Sequence, residues 1–254
     1  MRSYLDANCA QCHQPGGVGI TFDARYDTPL ANQDITNFPA QLSLGIDRAC
    51  IVKGKDIWRS VIYQRINTTN ATTKMPTLAR NLIDTNAVAI LGAWINSLPG
   101  LPALAPPTIT PNGGTFYQPV TVTVQAPDTN ATVYYTLNGG LPTTNSLIYS
   151  MPLILTNGVT VMASAFEPDF DNSIAANALF NFQPLYFTTA GFTTNNLFQA
   201  GFFGAVGSNY VLQATTNFIN WTPLATNLGT TNLLNLTDPK ATNFPYRFYR
   251  VLQQ

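Results

Sequence analysis

Residues 9–13 carry the most specific chemical pattern in the sequence. They read Cys9-Ala10-Gln11-Cys12-His13, a C-x-x-C-H motif of the kind that attaches c-type haem. On one helical turn, the two thiols can reach the two vinyl groups of a single porphyrin, and the next residue offers its imidazole to the iron. The motif therefore predicts one covalently bound haem c, with Cys9 and Cys12 as attachment points and His13 as an axial ligand.

Met75, which precedes a proline, is the natural second axial ligand. His13 is the only histidine in the 254 residues, so the iron cannot be held by two histidines of one molecule. Met1 is terminal, and Met151 and Met162 lie in β-rich sequence. A His/Met ligand pair raises the reduction potential and completes six-coordination, which favours electron transfer over substrate chemistry.

Two other chemistries use the same residue types. Cys9, Cys12 and His13 together with Cys50 offer the ligands of a zinc site, although adjacent Cys12 and His13 can hardly both turn towards one small ion. A thioredoxin-like redox pair requires a βαβ setting, which the surrounding sequence does not provide. Cys50 lies in an apolar stretch, which is typical of a buried free thiol.

Three function classes remain open at this stage. The leading hypothesis is one-electron transfer through a haem with His13 and Met75 as axial ligands. Without Met75 as a ligand, a five-coordinate haem enzyme or sensor is the alternative, although the chain has no distal histidine for peroxidase chemistry. The third class is a carbohydrate-binding or cell-surface protein in which the haem domain is secondary.

Helical periodicity surrounds the motif residues. Two apolar stripes recur at helical spacing, with Asp56 and either Asp84 or Thr85 as caps and Pro99-Gly100 as a stop. The first stripe comprises Ile57, Trp58, Val61, Ile62 and Arg65, and the second comprises Val88, Leu91, Trp94, Ile95 and Leu98. The pattern predicts helices that frame the haem.

The residues at 4–17, which include the C-x-x-C-H motif, and those at 47–98 resemble class I cytochrome c domains. The resemblance is strongest to those fused behind PQQ-dependent or other sugar and alcohol dehydrogenase modules. It implies an all-α haem domain, an upstream dehydrogenase domain or redox protein as the partner, and a position for Trp94 near the haem. The sequence pattern alone instead favours an ordinary core position for Trp94. Residues 20–46 are longer than a minimal domain of this family needs, and we expect them to wrap one haem edge.

After Pro106-Pro107 the period changes to alternating apolar and polar residues, which predicts a half-buried β-sandwich. Its motifs, including Pro111-Asn112-Gly113-Gly114-Thr115-Phe116 and Tyr134-Tyr135-Thr136, resemble the chitobiase/β-hexosaminidase C-terminal-like domain over residues 107–182. The resemblance leaves a glycan as a possible partner. Tyr134, Tyr135 and Tyr149 suit either a sugar platform or the sandwich core.

Two features further along the chain are less specific. Glu167, Asp169 and Asp171 offer either calcium ligands or a solvated acidic loop. Residues 184–254 are again rich in β pattern and resemble a short terminal module of secreted bacterial proteins. Either attachment or a purely structural role fits that module.

Charge distribution divides the chain into three parts. Residues 1–104 hold nine Lys/Arg against seven Asp, residues 105–183 hold four acids and no Lys or Arg, and residues 184–254 hold three basic residues against one acid. We therefore predict a multidomain protein. An all-α cytochrome c domain (1–104) is followed by two all-β sandwich-like modules (105–183 and 184–254).

Composition limits the partners and the location. The formal net charge is zero, which argues against nucleic acid, and no apolar run is long enough to predict a transmembrane segment. Covalent haem attachment implies a periplasmic, secreted or cell-surface protein. Because Cys9 lies too near Met1 for a signal peptide to precede it, we expect the N-terminus to be truncated.

Overall fold

The computed structural model describes residues 1–17, 22–78 and 80–254. The chain is mostly β, with 34% of its residues in strands, 13% in helices and four sheets. The predicted fold class is therefore wrong in its first part, because residues 1–104 do not form an all-α cytochrome c domain. The predicted change to β structure after residue 105 is observed.

The described part of residues 1–104 holds three α-helices joined by long irregular segments. They are α1 (Arg2–Cys9), α2 (Val61–Ile66) and α3 (Thr85–Ser97), with a short 3-10 helix at Leu30–Asn32. Around them, extended backbone pairs through isolated bridges, such as Thr36 with Val52 and Cys50 with Ser60. This bridging uses the main-chain groups that a longer helix would need, and it is the physical reason for the low helix content.

The two predicted helical stripes have different outcomes. The second stripe forms α3, where the Asp84 carboxylate accepts a hydrogen bond from Ala87 N at 2.9 Å and so caps the helix. The first stripe becomes helical only at Val61. Asp56 does not cap it, because its carboxylate instead accepts hydrogen bonds from the main chain and guanidinium of Arg59.

These helices and loops enclose one hydrophobic core. Leu5 of α1, Ile62 of α2 and Leu91 and Ile95 of α3 are buried in it together with Val52. Trp94 packs partly buried against the same core. Shared apolar burial thus gathers α1, α2 and α3 around one core.

Residues 108–182 form a β-sandwich of two sheets. Alternating residues of both sheets meet in a core that includes Val122, Val124, Val161, Ala163 and Phe180. One sheet has the order β1-β3-β6 and the other has the order β2-β8-β7-β4-β5. The strands are β1 (Thr108–Thr110), β2 (Gly114–Phe116), β3 (Val120–Gln125), β4 (Thr132–Thr136), β5 (Leu147–Ile148), β6 (Leu153–Leu155), β7 (Val159–Phe166) and β8 (Ala176–Phe182).

Residues 187–253 form two three-stranded antiparallel sheets that share a separate core. Phe202 and Leu236 of one sheet are buried with Tyr210, Leu212 and Val251 of the other. The sheet orders are β13-β10-β9 and β12-β11-β14. The strands are β9 (Phe187–Phe192), β10 (Phe198–Phe203), β11 (Asn209–Thr215), β12 (Thr222–Leu228), β13 (Leu233–Asp238) and β14 (Phe248–Gln253).

A buried arginine joins the first segment to the sandwich. The Arg59 side chain is 0% exposed and forms ion pairs with Asp56 at 3.1 Å and Asp47 at 2.8 Å. Its guanidinium also donates to the carbonyl oxygens of Asn172 (2.8 Å) and Ser173 (3.2 Å), in the loop between β7 and β8. The desolvated cation therefore has carboxylates on one side and sandwich carbonyls on the other.

The same loop pairs with the chain that leads into the sandwich. Asp171 N donates to Pro102 O at 2.9 Å, and Leu104 N donates to Asp171 O at 3.1 Å. The Asp171 carboxylate forms an ion pair with Arg48 at 3.0 Å. The Asp171 carboxylate is therefore paired with a guanidinium and mostly shielded from solvent. Among the described residues, no group of three or more His, Cys, Asp or Glu suited to a metal ion occurs.

No helix within the described ranges is both long and apolar enough to cross a membrane.

Candidate functional site

The cysteine motif lies at the end of α1. The helix ends at Cys9, and Ala10 continues in right-handed helical conformation. Cys12 N and His13 N both donate to Cys9 O, at 3.1 and 2.8 Å. The three motif side chains therefore project from one continuous turn, as the spacing predicted.

The residues that follow close this turn tightly. Gly17 N donates to Gln14 O at 2.9 Å. A β-carbon at Gly17 would lie 2.3 Å from Cys12 O, closer than any side chain tolerates. Glycine at this position is thus required by the close approach of the chain to the cysteine motif.

The side chain and the main chain of His13 each have a contact. The His13 ring stacks on Phe22, with ring centroids 4.3 Å apart and an angle of 17° between the planes. The main-chain carbonyl oxygen of His13 accepts a hydrogen bond from Ala24 N at 2.8 Å. The hydrogen bond thus holds the main chain of His13, and stacking on Phe22 orients its ring.

A cavity of about 300 Å³ brings three of the four predicted site residues together. Cys9 and His13 line it, and so does Met75 with Pro76 from the loop between α2 and α3. Cys12 is exposed and stands beside the cavity on the same turn. A volume of this size lies within the range of small-molecule and cofactor sites.

The rest of the cavity wall is mostly apolar. Three elements far apart in sequence supply its buried apolar part: the segment after the cysteine motif, α2, and the chain near Ile51. The buried apolar lining residues are Phe22, Ile51, Val61, Ile62 and Ile66. Such a wall suits a ligand with an apolar surface.

Two parts of the wall were not predicted as site residues. Arg65 is the only charged side chain among the described residues that line the cavity, although its sequence position suggested an apolar helical stripe. Ala40, Gln41 and Leu42 also line it. They belong to the 20–46 segment that was expected to wrap a haem edge, whose residues 20 and 21 lie outside the described part of the chain.

The two cysteines of the motif differ in environment. Burial, and secondarily the charge of Cys12, raise the pKa of the Cys9 thiol to about 11. Cys12 is exposed. Cys50 is buried away from the cavity lining, its thiol donates to Arg48 O at 3.7 Å, and burial raises its pKa as well.

In the protein without haem, iodoacetamide is expected to alkylate Cys12 at least about ten-fold faster than Cys9 at neutral pH. A raised pKa keeps Cys9 as the unreactive thiol until the pH approaches about 11, whereas Cys12 is open to solvent. Peptide mapping by mass spectrometry gives both rates, and buried Cys50 serves as the slow internal control. Equal rates at Cys9 and Cys12 would contradict this environment.

Two of the three tyrosines considered for sugar binding pack in the sandwich core. Tyr135 and Tyr149 pack against the sandwich core and meet edge to face at 6.4 Å. Tyr134 contacts Phe166 in the same manner at 5.2 Å. The core interpretation of these aromatics is thus confirmed for Tyr135 and Tyr149.

Comparison with known proteins identifies one segment. The family model of the chitobiase/beta-hexosaminidase C-terminal domain matches residues 111–176, from the turn before β2 to the start of β8. This match confirms the resemblance stated for the sandwich. It does not extend to residues 1–100, and the resemblance of those residues to cytochrome c domains gains no support from it.

Other comparisons add little. A search of curated proteins gives no match. Among solved structures, this chain is similar to a cytokine receptor complex (crystal form 2) at 12% sequence identity and a TM-score of 0.26. The match covers 57% of this chain and 87% of that chain. It is also similar to the human OSCAR ligand-binding domain at 14% identity and a TM-score of 0.28, over 53% of this chain and 82% of that chain. At such low TM-scores these likenesses assign neither a fold nor a function.

Proposed function

We propose that residues 1–104 bind one haem c covalently through Cys9 and Cys12, with His13 and Met75 as axial ligands, and that the protein transfers single electrons outside the cytoplasm. The observation that carries this proposal is the shared cavity. Cys9, His13 and Met75 line the same apolar space although Met75 is far from the motif in sequence. A methionine unrelated to the motif would not be expected to line the same cavity.

The residues present fit such a group. A thiol at the cavity, a second thiol on the same turn, an imidazole and a thioether form the donor set of a His/Met c-type haem. The apolar wall suits the porphyrin, and Arg65 supplies a positive charge for its acidic side groups. When bound, the haem supplies a one-electron ferric/ferrous couple.

The chain's own residues then determine how that couple is used. His13, held by Phe22 and Ala24, presents a fixed imidazole. Met75 would supply the second protein ligand, a soft thioether sulfur that favours the reduced state and would leave no place on the iron for a substrate. The partner is a redox protein or a dehydrogenase domain, and the location is the periplasm or the cell exterior, where such haem attachment takes place.

A second function, glycan attachment through the β modules, is favoured by the match of residues 111–176 to a domain of chitin-degrading enzymes. Core packing removes Tyr135 and Tyr149 from any sugar platform, so other residues would have to serve. Retention of the full chain on insoluble chitin or cellulose would support this second function, and free passage would exclude these two glycans.

Replacing Met75 by alanine is expected to abolish the weak red-end absorption band of the oxidised protein and to lower the reduction potential. The covalent haem should remain, because Met75 takes no part in attachment. Visible spectroscopy and a potentiometric titration of the holoprotein measure both changes. Met151→Ala, at an exposed position before β6, is the matched control and should leave both unchanged.

A different result is decisive for the ligand assignment. If the wild-type protein lacks the band, or if Met75→Ala retains it, Met75 is not an iron ligand. The five-coordinate enzyme or sensor hypothesis then takes the place of electron transfer.

A further inference from the structure

The loop that carries Met75 is bound to the end of α2. Met75 N donates to Arg65 O at 3.0 Å, so one of the last carbonyls of α2 holds the methionine main chain. The Arg65 guanidinium returns a hydrogen bond to Thr73 O at 3.0 Å, two residues before the methionine. The thioether position therefore depends on where the last turn of α2 and residues 67–78 lie relative to each other.

Arg80 holds that arrangement from the other end of the loop. Its guanidinium donates to the carbonyl oxygens of Arg65, at 3.0 Å, and of Ile66 and Thr68. The final carbonyls of a helix have no partner within the helix, and a planar guanidinium can serve several of them at once. Lys74 Nζ also donates to Arg80 O at 2.6 Å, which ties the residue before Met75 back to Arg80.

Arg65 O is thus an acceptor that the Met75 loop and Arg80 share. It receives both the Met75 N–H and the Arg80 guanidinium. Arg80 itself is not among the described residues that line the cavity. Its hydrogen bonds connect it to the site through the main chain of Arg65 and the Met75 loop.

We propose that Arg80 is a positioning residue that fixes the Met75 loop on the end of α2 and so keeps the thioether at the iron. The proposal rests on the function proposed above, in which Met75 is an axial ligand. It adds that the strength of this ligand is set outside the cavity, by three main-chain carbonyls and one guanidinium. Removing the guanidinium would leave those acceptors unsatisfied and release the loop.

Imidazole competition on the holoprotein measures the strength of the ligand. Added imidazole displaces Met75 from the iron, and loss of the red-end band reports the displacement. In Arg80→Ala we expect the imidazole affinity to rise at least about ten-fold, with the covalent haem retained. Arg80→Lys keeps the charge but places its donors on one nitrogen, without the planar fork whose two nitrogens reach the carbonyls of Ile66 and of Arg65 and Thr68. Its imidazole affinity should therefore lie between those of Arg80→Ala and the wild type.

Arg48→Ala is the matched control, since Arg48 is an exposed arginine that pairs with Asp171 away from the cavity lining. It should bind imidazole as the wild type does. An Arg80→Ala or Arg80→Lys holoprotein with wild-type imidazole affinity would overturn the proposal.

Amide hydrogen exchange gives a readout that does not need haem. In Arg80→Lys and Arg80→Ala, the Met75 amide should exchange at least about ten-fold faster than in the wild type, because its acceptor is no longer fixed. Unchanged exchange would overturn the positioning role whatever the haem does. Faster exchange in a protein whose wild type lacks the red-end band would instead support the loop contact and reject Met75 as a ligand.

Discussion

Replacing Arg59 by alanine is expected to lower the free energy of unfolding by about 3–5 kcal/mol. The Arg59 side chain is 0% exposed, and its removal leaves the fully buried Asp56 carboxylate without its cation. It also leaves the carbonyls of Asn172 and Ser173 without their donor, at the boundary with the sandwich. An uncompensated buried charge accounts for most of the expected loss.

Denaturant unfolding, followed separately in residues 1–104 and in the sandwich, measures this loss. In the wild type the two parts should unfold together, and in Arg59→Ala they should separate into two transitions. Arg48→Ala is the control, because its side chain is 50% exposed and a surface ion pair contributes only about 0–1 kcal/mol. A change below about 1 kcal/mol in Arg59→Ala would show that the junction does not couple the two parts.

Replacing both Cys9 and Cys12 by serine is expected to eliminate covalent haem completely. Both thioether links are lost, while His13, Met75 and the apolar wall remain. Any haem that still binds should be extracted by acidified solvent. The measurement is the pigment left on the unfolded chain after expression in a host that matures c-type cytochromes.

Cys50→Ser separates this effect from a general loss of thiols. Cys50 is buried, its thiol donates to Arg48 O, and it does not line the cavity. The Cys50→Ser protein should therefore retain its haem as the wild type does. Covalent pigment in the double serine variant, or its loss in Cys50→Ser, would reject the attachment points.

Local sequence patterns predicted the elements whose stabilising contacts are local. The sequence predicted the strands β3, β4 and β7 from their alternating residues. It also predicted α3, from the Asp84 cap and the apolar stripe with Val88 and Leu91, because side-chain period and capping depend on near neighbours. The turn that carries Cys9, Cys12 and His13 was predictable for the same reason. The chitobiase-type segment followed from its motifs and is matched over residues 111–176.

The sequence did not predict the extended main-chain pairing in residues 1–104. The bridges of Thr36 with Val52 and of Cys50 with Ser60 join residues separated along the chain, and the apolar residues near Ile57 fit a helix equally well in isolation. The prediction of an all-α domain failed for this reason. Tertiary pairing overrode a local periodicity.

The roles of two arginines could not be predicted either, because their partners are set by the tertiary fold. Arg59 resembles a surface arginine until Asn172 and Ser173, more than a hundred positions away, provide its acceptors. Arg80 binds main-chain carbonyls, which carry no residue-specific signal in a sequence. Such residues emerge only when the path of the chain is known.

We propose that two thioether bonds join a porphyrin to this chain at positions 9 and 12. The intact mass and metal content of the purified protein, produced in a host that matures c-type cytochromes and then fully unfolded, test these bonds directly. We expect the mass of the chain plus one haem, with one iron per molecule and pigment that stays on the polypeptide. The mass of the bare chain, freely extracted pigment or bound zinc would contradict this proposal.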